Sequence, residues 1–277
     1  MTDEAAANPA DHDTVLVTRH GSVEVITINR PQARNAVDGP TAAALYEAFL
    51  RFDADDGAAV AVLTGADNMF CAGADLKAIA TDRGNRIEAA SPGETVGSMG
   101  PMGPTRLLLS KPTIAAVEGY AVAGGLELAV WCDLRVAASD AAFGVFCRRW
   151  GVPLVDGGTI RLPRLIGQSR ALDLILTGRE VSGQEALDFG LVNRLVEPGE
   201  SLTAAIELGR QLADLPSRCL RSDRLSAHDQ WNLDLGSALS REMDLGLATI
   251  RSGETRAGAA RFAAGAGRHG RPDDTAD

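Results

Sequence analysis

AAVEGYAVAGGLELAVWCD, residues 115–133, joins a short apolar strand (Ile114 to Val117) to an apolar helical run from Leu126 to Trp131 through a turn of small residues. Gly124 and Gly125 open the helical run, and glycines there let a ligand approach the backbone closely. The first amides of a helix have no partner within it and carry the positive end of the helix dipole, so they favour an anionic oxygen. Glu127 falls in that first turn, which pairs amide donors with a carboxylate.

A second small-residue loop lies upstream: GADNMFCAGADLKAIA, Gly65 to Ala80. Its centre, Cys71-Ala72-Gly73-Ala74-Asp75, has side chains too small to keep a ligand from the main chain. The continuous apolar run Ala58 to Thr64 before it suits a buried strand. Val15 to Asn29 reads as a β-hairpin around His20-Gly21-Ser22. Thr41 to Phe52 places Leu45, Phe49 and Phe52 at helical spacing before the Asp55-Asp56-Gly57 stop. Thr105 to Leu109 reads as a helix, Pro112 to Val117 as a strand and Leu134 to Ala138 as another. Thr81 to Pro104 is rich in Gly, Pro and Ser, the composition of a mobile cover over a site.

Strands alternating with helices argue for α/β layering. After Asp156 the helical segments include Ser169 to Gly178, Ser182 to Gly190 and Leu202 to Leu215, with a brief LVNRLV strand. Beyond Pro216 the pattern is helical to about Ala264. The chain therefore divides into a polar lead-in (1–13), a core (14–200), a helical C-terminal oligomerisation region (201–265) and a frayed tail (266–277).

With 277 residues, 45% of them hydrophobic, the chain can bury a sizeable core. A net charge of −10 argues against indiscriminate nucleic-acid binding, which needs a basic surface. No apolar run approaches the ~20 residues that span a bilayer. The first residues lack the apolar core of a signal peptide. Cys71, Cys132, Cys147 and Cys219 fall at no metal-ligand spacing and the four histidines form no cluster, so no metal is expected. Free thiols suit a reducing cytoplasm.

Several segments together, in order and spacing, carry a resemblance: INRPQARNAV (Ile28 to Val37), LTGADNMFCAGADLKAI (Leu63 to Ile79), KPTIAAVEGYAVAGGLELAVWCDLRVA (Lys111 to Ala137), AFG (142–144), DGGTIRLPRLIG (Asp156 to Gly167) and LTGREVSGQEALDFGLVNRLV (Leu176 to Val196). The chain resembles the crotonase (enoyl-CoA hydratase/isomerase) superfamily over residues 14–265. The resemblance implies an α/β spiral of ββα units with C-terminal helices that build a homotrimer or homohexamer. It also implies acyl-coenzyme A thioesters as substrates, with no cofactor beyond the coenzyme A they carry, as in fatty acid metabolism.

By the same resemblance the amides of Ala74 and Gly124 form an oxyanion hole and Glu127 is an acid/base. Ala72 and Lys77 lie where coenzyme A is contacted. The family's second glutamate would fall on position 147, within FGVFC (143–147), and here that position holds Cys147. A thiol with a reference pKa of ~8.5 is a poor substitute for a carboxylic acid, so the resemblance implies double-bond isomerisation or slower hydration of an enoyl-CoA rather than efficient hydration. Asp156, in the same loop, is a candidate for the missing carboxyl, against the plainer reading of a turn or N-cap residue before DGGTIRL. Cys147 reads as a buried small residue, with Arg148 and Arg149 beside it able to favour a thiolate. The two arginines equally suit ion pairs at a subunit contact or an anionic part of the substrate; Phe143 and Trp150 read as packing. Two alternatives stand: a CoA-thioester-binding homologue with little turnover, and an acyl-CoA decarboxylase or carbon–carbon lyase.

Overall fold

Strands β1 (Val15–His20) and β2 (Val23–Ile28) pair antiparallel, Val15 opposite Ile28, as the hairpin pattern predicts. This computed structural model describes residues 13–81, 84–89, 91 and 93–266; the expected lead-in (save residue 13) and all but the first residue of the expected tail lie outside them. Helix α1 (Gly39–Ala54) starts where Asp38 accepts from the Thr41 amide at 3.0 Å and buries Leu45, Phe49 and Phe52. Next come β3 (Val60–Gly65), the single-turn α2 (Leu76–Ile79), β4 (Thr113–Val117), β5 (Tyr120–Val122) and α3 (Gly124–Trp131). Strands β6 (Leu134–Ala138) and β7 (Ala142–Gly144) lead to α4 (Gly158–Ile166) and α5 (Gln168–Thr177). Then follow β8 (Val181–Ser182), α6 (Gly183–Phe189), β9 (Arg194–Val196), α7 (Ser201–Ala213), α8 (Ser217–Asp229), α9 (Leu235–Arg251) and α10 (Glu254–Ala263).

A six-stranded sheet runs in the order β1-β2-β3-β4-β6-β9 and is parallel from β2 onward; β5-β7-β8 form a smaller sheet. Two turns, β4-β5-α3 and β6-β7-α4, each contribute a strand to the large sheet, a strand to the small sheet and then helix. In the turn before them, β3 is followed by a single bridge from Cys71 to Ala121, then α2. This is the ββα spiral that the sequence leads one to expect. The central strands β3 and β4 are buried on both faces, which is why they read as unbroken apolar runs. Val60 and Val62 pack toward Ala205, Ile206 and Leu208 of α7, whereas Ala61 and Leu63 face the main core with Phe49 and Phe52.

One expected helix is absent. Only Pro104–Arg106 makes a 3₁₀ turn, and Leu107 to Leu109 then run extended, with Leu107 and Leu109 buried and Leu108 exposed. That alternation is the side-chain period of extended chain, and the Leu107 carbonyl is taken by the Trp131 indole N–H at 3.0 Å.

The site is set by the parallel pairing of β3 and β4. Neighbouring parallel strands release their following segments side by side at their carboxyl ends, and here those segments zip together. The Phe70 amide donates to Glu118 O (2.8 Å), Cys71 N to Tyr120 O (2.9 Å) and Val122 N to Cys71 O (3.1 Å). Asn35, fully buried, pins the first loop: its Nδ2 donates to Ala66 O (2.9 Å) and Met69 O (2.6 Å), and its Oδ1 accepts from Arg30 N (2.9 Å). Removing that side chain leaves two carbonyls and an amide without partners. Asn35→Ala is expected to lower unfolding free energy by about 3 kcal/mol in equilibrium denaturation, since each buried unpaired group costs ~1–3 kcal/mol.

Candidate active site

A half-buried salt-bridge cluster sets the first wall. Arg30 lies 3.0 Å from Asp38 and 3.0 Å from Asp75, and its other guanidinium nitrogen donates to the Ala36 carbonyl. Asp75 in turn caps α2 through the Lys77 and Ala78 amides (3.0 and 3.2 Å). Val37 pairs with the loop as a strand would, its N–H going to Gly73 O and its carbonyl accepting from Asp75 N. In that pattern the residues flanking Ala74 face Val37, so the Ala74 N–H falls on the opposite edge.

The second wall begins with Ala123, which holds φ +54° and ψ −124°. A non-glycine residue rarely adopts such a backbone, at a cost on the order of 1–3 kcal/mol. The strained peptide leads into Gly124, the first residue of α3. Neither the Ala74 nor the Gly124 amide donates to a protein acceptor among the described residues. The two loops touch at Gly73, at φ +97°, where a Cβ would sit 2.9 Å from the Ala123 Cβ and 3.0 Å from Gly124 N. At Gly125 a Cβ would meet Cys71 O at 2.1 Å. Glycine is thus required at both points by backbone contact. Ala74 and Gly124 line one cavity of about 500 Å³, with Ala72, Met102, Glu127 and Cys147 also on its wall.

Glu127 is 3% exposed. Its Oε1 accepts from Asp156 N (2.9 Å) and Gly158 N (2.8 Å), while Oε2 has no protein partner among the described residues and the residue lines the cavity. Burial, reinforced by the negative charge of Asp156, pushes the Glu127 carboxyl up to about 7; the Gly158 and Asp156 amides and Arg161 oppose the rise without cancelling it. A carboxyl poised there can both take and give a proton near neutrality.

The remaining candidates fall differently. Cys147 is buried and lines the cavity, within a 3₁₀ turn, Phe146–Trp150. Its burial agrees with the reading as a buried small residue, and the thiolate alternative is disfavoured: burial and the Glu127 charge raise the thiol, outweighing Arg148. Arg148 and Arg149 are occupied at the Ile175 and Gly178 carbonyls (3.0 and 2.9 Å), with Arg149 also stacked on Phe146. Phe143 is buried as expected, but Trp150 is 72% exposed at the rim rather than packed. Lys77 is exposed on α2, outside the cavity wall, and Ala72 lies on that wall.

Asp156 does not cap α4; Gly157 occupies the N-cap without a side-chain bond. The Asp156 carboxylate instead accepts from Met102 N (2.9 Å) and from the Thr105 hydroxyl. Met102 was not legible as a site residue, because the signal is tertiary: its thioether lies against Gly124, where a Cβ would meet Sδ at 2.7 Å. Arg161 was missed too. It donates to Asp156 O (2.8 Å) and Thr105 O (2.7 Å), clamping the loop that holds Glu127. Asn85, Ile87 and Pro101 of the expected cover line the cavity; residues 82, 83, 90 and 92 of that segment lie outside the described ones. Among the described residues no group of three His, Cys, Asp or Glu side chains could hold a metal, and no helix is long and apolar enough to cross a membrane.

A family model for enoyl-CoA hydratase/isomerase matches residues 18–265. The carnitinyl-CoA dehydratase of Salmonella arizonae is 42% identical over 202 residues, covering 72% of this chain and 74% of that protein. Enoyl-CoA hydratase EchA19 of Mycobacterium tuberculosis is 35% identical over 254 residues, 90% and 92% of the two chains. Among solved structures, enoyl-CoA hydratase EchA1 from Mycobacterium marinum matches with a TM-score of 0.83 at 38% identity, covering 91% of this chain and 96% of that one.

The raised Glu127 carboxyl has a stability consequence. Between the ordinary value of 4.5 and about 7 the folded chain holds a proton that the unfolded chain has released. Stability therefore falls as pH rises through that window, by on the order of 3 kcal/mol, and the loss is complete above it. Denaturant titrations at pH 5 and pH 8 are expected to show this decline in the wild type and a smaller one in Glu127→Gln.

Proposed function

Because the chain belongs to the enoyl-CoA hydratase/isomerase family, we propose that it processes enoyl-coenzyme A thioesters through an enolate held by the Ala74 and Gly124 amides, with Glu127 moving the proton at the α-carbon. The observation that carries this reading is the pair of unengaged amides on the same cavity wall as a carboxyl poised near pH 7. A thioester oxygen accepting both N–H groups gains negative charge as the enolate forms, and each such donor contributes roughly 3 kcal/mol to barrier lowering. Glu127 Oε2 then takes the α-proton or returns it. Placing it back on the α-carbon serves addition of water; placing it on the γ-carbon moves the double bond. The relatives, a carnitinyl-CoA dehydratase and an enoyl-CoA hydratase, agree with the first direction.

The backbone at Ala72 and the exposed Lys77 ammonium are the groups for the coenzyme A portion, the amine near a phosphate. The apolar cavity wall, with Met102 and Val152, suits the acyl chain. Helix α9 exposes Leu235, Leu239, Met243 and Ile250, which supports assembly as a trimer or a hexamer through this region.

Crotonyl-CoA and a 3-enoyl-CoA, followed by the absorbance of the conjugated enoyl thioester, test hydration and isomerisation separately. Glu127→Gln is expected to lower whichever rate is found by about 10²- to 10⁴-fold, the contribution of a positioned acid or base, while calorimetry shows acyl-CoA affinity unchanged. Equal rates in the two proteins would remove Glu127 from its role. Binding without turnover in the wild type would leave a thioester-binding protein.

A further inference from the structure

Hydration needs two groups, one to take a proton from water and one to give a proton to the α-carbon. The position expected to carry the second carboxyl holds Cys147, whose thiol is kept protonated by burial beside Glu127. Another carboxyl nevertheless stands on the same cavity wall. Asp156 is 3% exposed, and its own amide donates to Glu127 Oε1, which makes the two carboxyls neighbours. Its Oδ1 is fixed by the Met102 amide and the Thr105 hydroxyl. Its Oδ2 has no protein partner among the described residues, and Asp156 lines the cavity. Glu127 presents its Oε2 in the same way. Each carboxyl is held by one oxygen and leaves the other free.

We infer that Asp156 is the second catalytic carboxyl, facing substrate with Oδ2 beside Glu127 Oε2, so that the site hydrates enoyl thioesters although residue 147 is a cysteine. The inference rests on the proposed enoyl-CoA activity. One proton is shared by the pair, resting on Glu127 at the start. Asp156 Oδ2 takes a proton from water as the water oxygen bonds to the β-carbon; the π electrons move onto the thioester oxygen between the Ala74 and Gly124 amides. The enolate then takes the Glu127 proton at the α-carbon. Water has been added, Asp156 is protonated and Glu127 is ionised, and a proton passing from Asp156 back to Glu127 restores the start. Burial raises the Asp156 carboxyl as well, against the Thr105 and Met102 donors and the charges of Arg106 and Arg161. Arg161 also offsets the negative charge at Glu127.

Asp156→Asn separates this role from packing, because an amide oxygen can still accept from Met102 and Thr105 and the backbone N–H still holds Glu127. Two reactions are read in wild type and variant: hydration of crotonyl-CoA, and exchange of the α-protons of butyryl-CoA with deuterium oxide, which needs only Glu127 and the two amides. The expected result is a fall in hydration of at least about 100-fold with exchange retained, its pH dependence displaced to lower pH because the variant removes the Asp156 charge that helps raise Glu127. A parallel fall in both, or hydration left intact, would overturn the inference and reduce Asp156 to a positioning residue or less. A wild-type protein that exchanges α-protons but adds no water would also overturn it while leaving the proposed family chemistry standing. A wild-type protein that does neither would remove the proposed function and this inference together.

Discussion

The contact of two main chains at Gly73 and Gly124 is the constraint on which the rest of the structure depends. A Cβ at residue 73 would lie 3.0 Å from the Gly124 nitrogen, so the loops meet only because nothing projects between them. Other features serve to bring them there. The parallel register of β3 and β4 starts both loops at one end of the sheet. Asn35 draws in the first loop, and the Arg30 cluster with Asp38 and Asp75 holds its far side. The strained Ala123 peptide leads into the second. Strain of this kind persists where the surroundings over-determine it, and here Ala123 N is held by Gly144 O at 2.9 Å.

The electrostatics follow from the same burial. Taking Glu127 out of water disfavours its charged form, and a second carboxyl nearby disfavours it further. Two backbone amides on Oε1 keep the carboxyl oriented and temper the rise. The result is a group that is partly protonated near neutrality and fixed in place. Glu127 lies in the first turn of α3, yet its oxygen is held by amides of another segment, just ahead of α4 and at its first residue. The cavity wall is therefore assembled from three regions of the chain, and Arg161 ties the third to the 3₁₀ turn at residues 104–106.

Much of this was legible in the sequence where local chemistry and tertiary structure agree. The hairpin, α1, the strands entering the two loops, the glycines at the start of α3 and the helical C-terminal third are all found near their expected bounds. Glu127, Ala74 and Gly124 share one cavity as their motifs implied. The misreadings share a cause, since each depended on what a side chain meets across the fold. Leu107 to Leu109 have helical composition, but burial of alternate residues holds them extended. Asp156 has the look of a cap, yet its carboxylate crosses to Met102 and Thr105. Arg148 and Arg149 resemble an electropositive setting for a thiol, but carbonyls at Ile175 and Gly178 engage them while burial governs Cys147. Trp150 carries apolar bulk that the core leaves at the rim.

The account stands on two peptide N–H groups converging on one carbonyl oxygen. The most direct test is the isotope-edited infrared spectrum of an acyl-CoA carrying ¹³C at the thioester carbonyl, bound to Glu127→Gln so that no chemistry intervenes. Polarisation by the Ala74 and Gly124 amides predicts a carbonyl stretch clearly lowered, and narrowed, relative to the same thioester in water. A bound thioester whose stretch stays at its solution position would contradict the convergence of the two loops on the substrate.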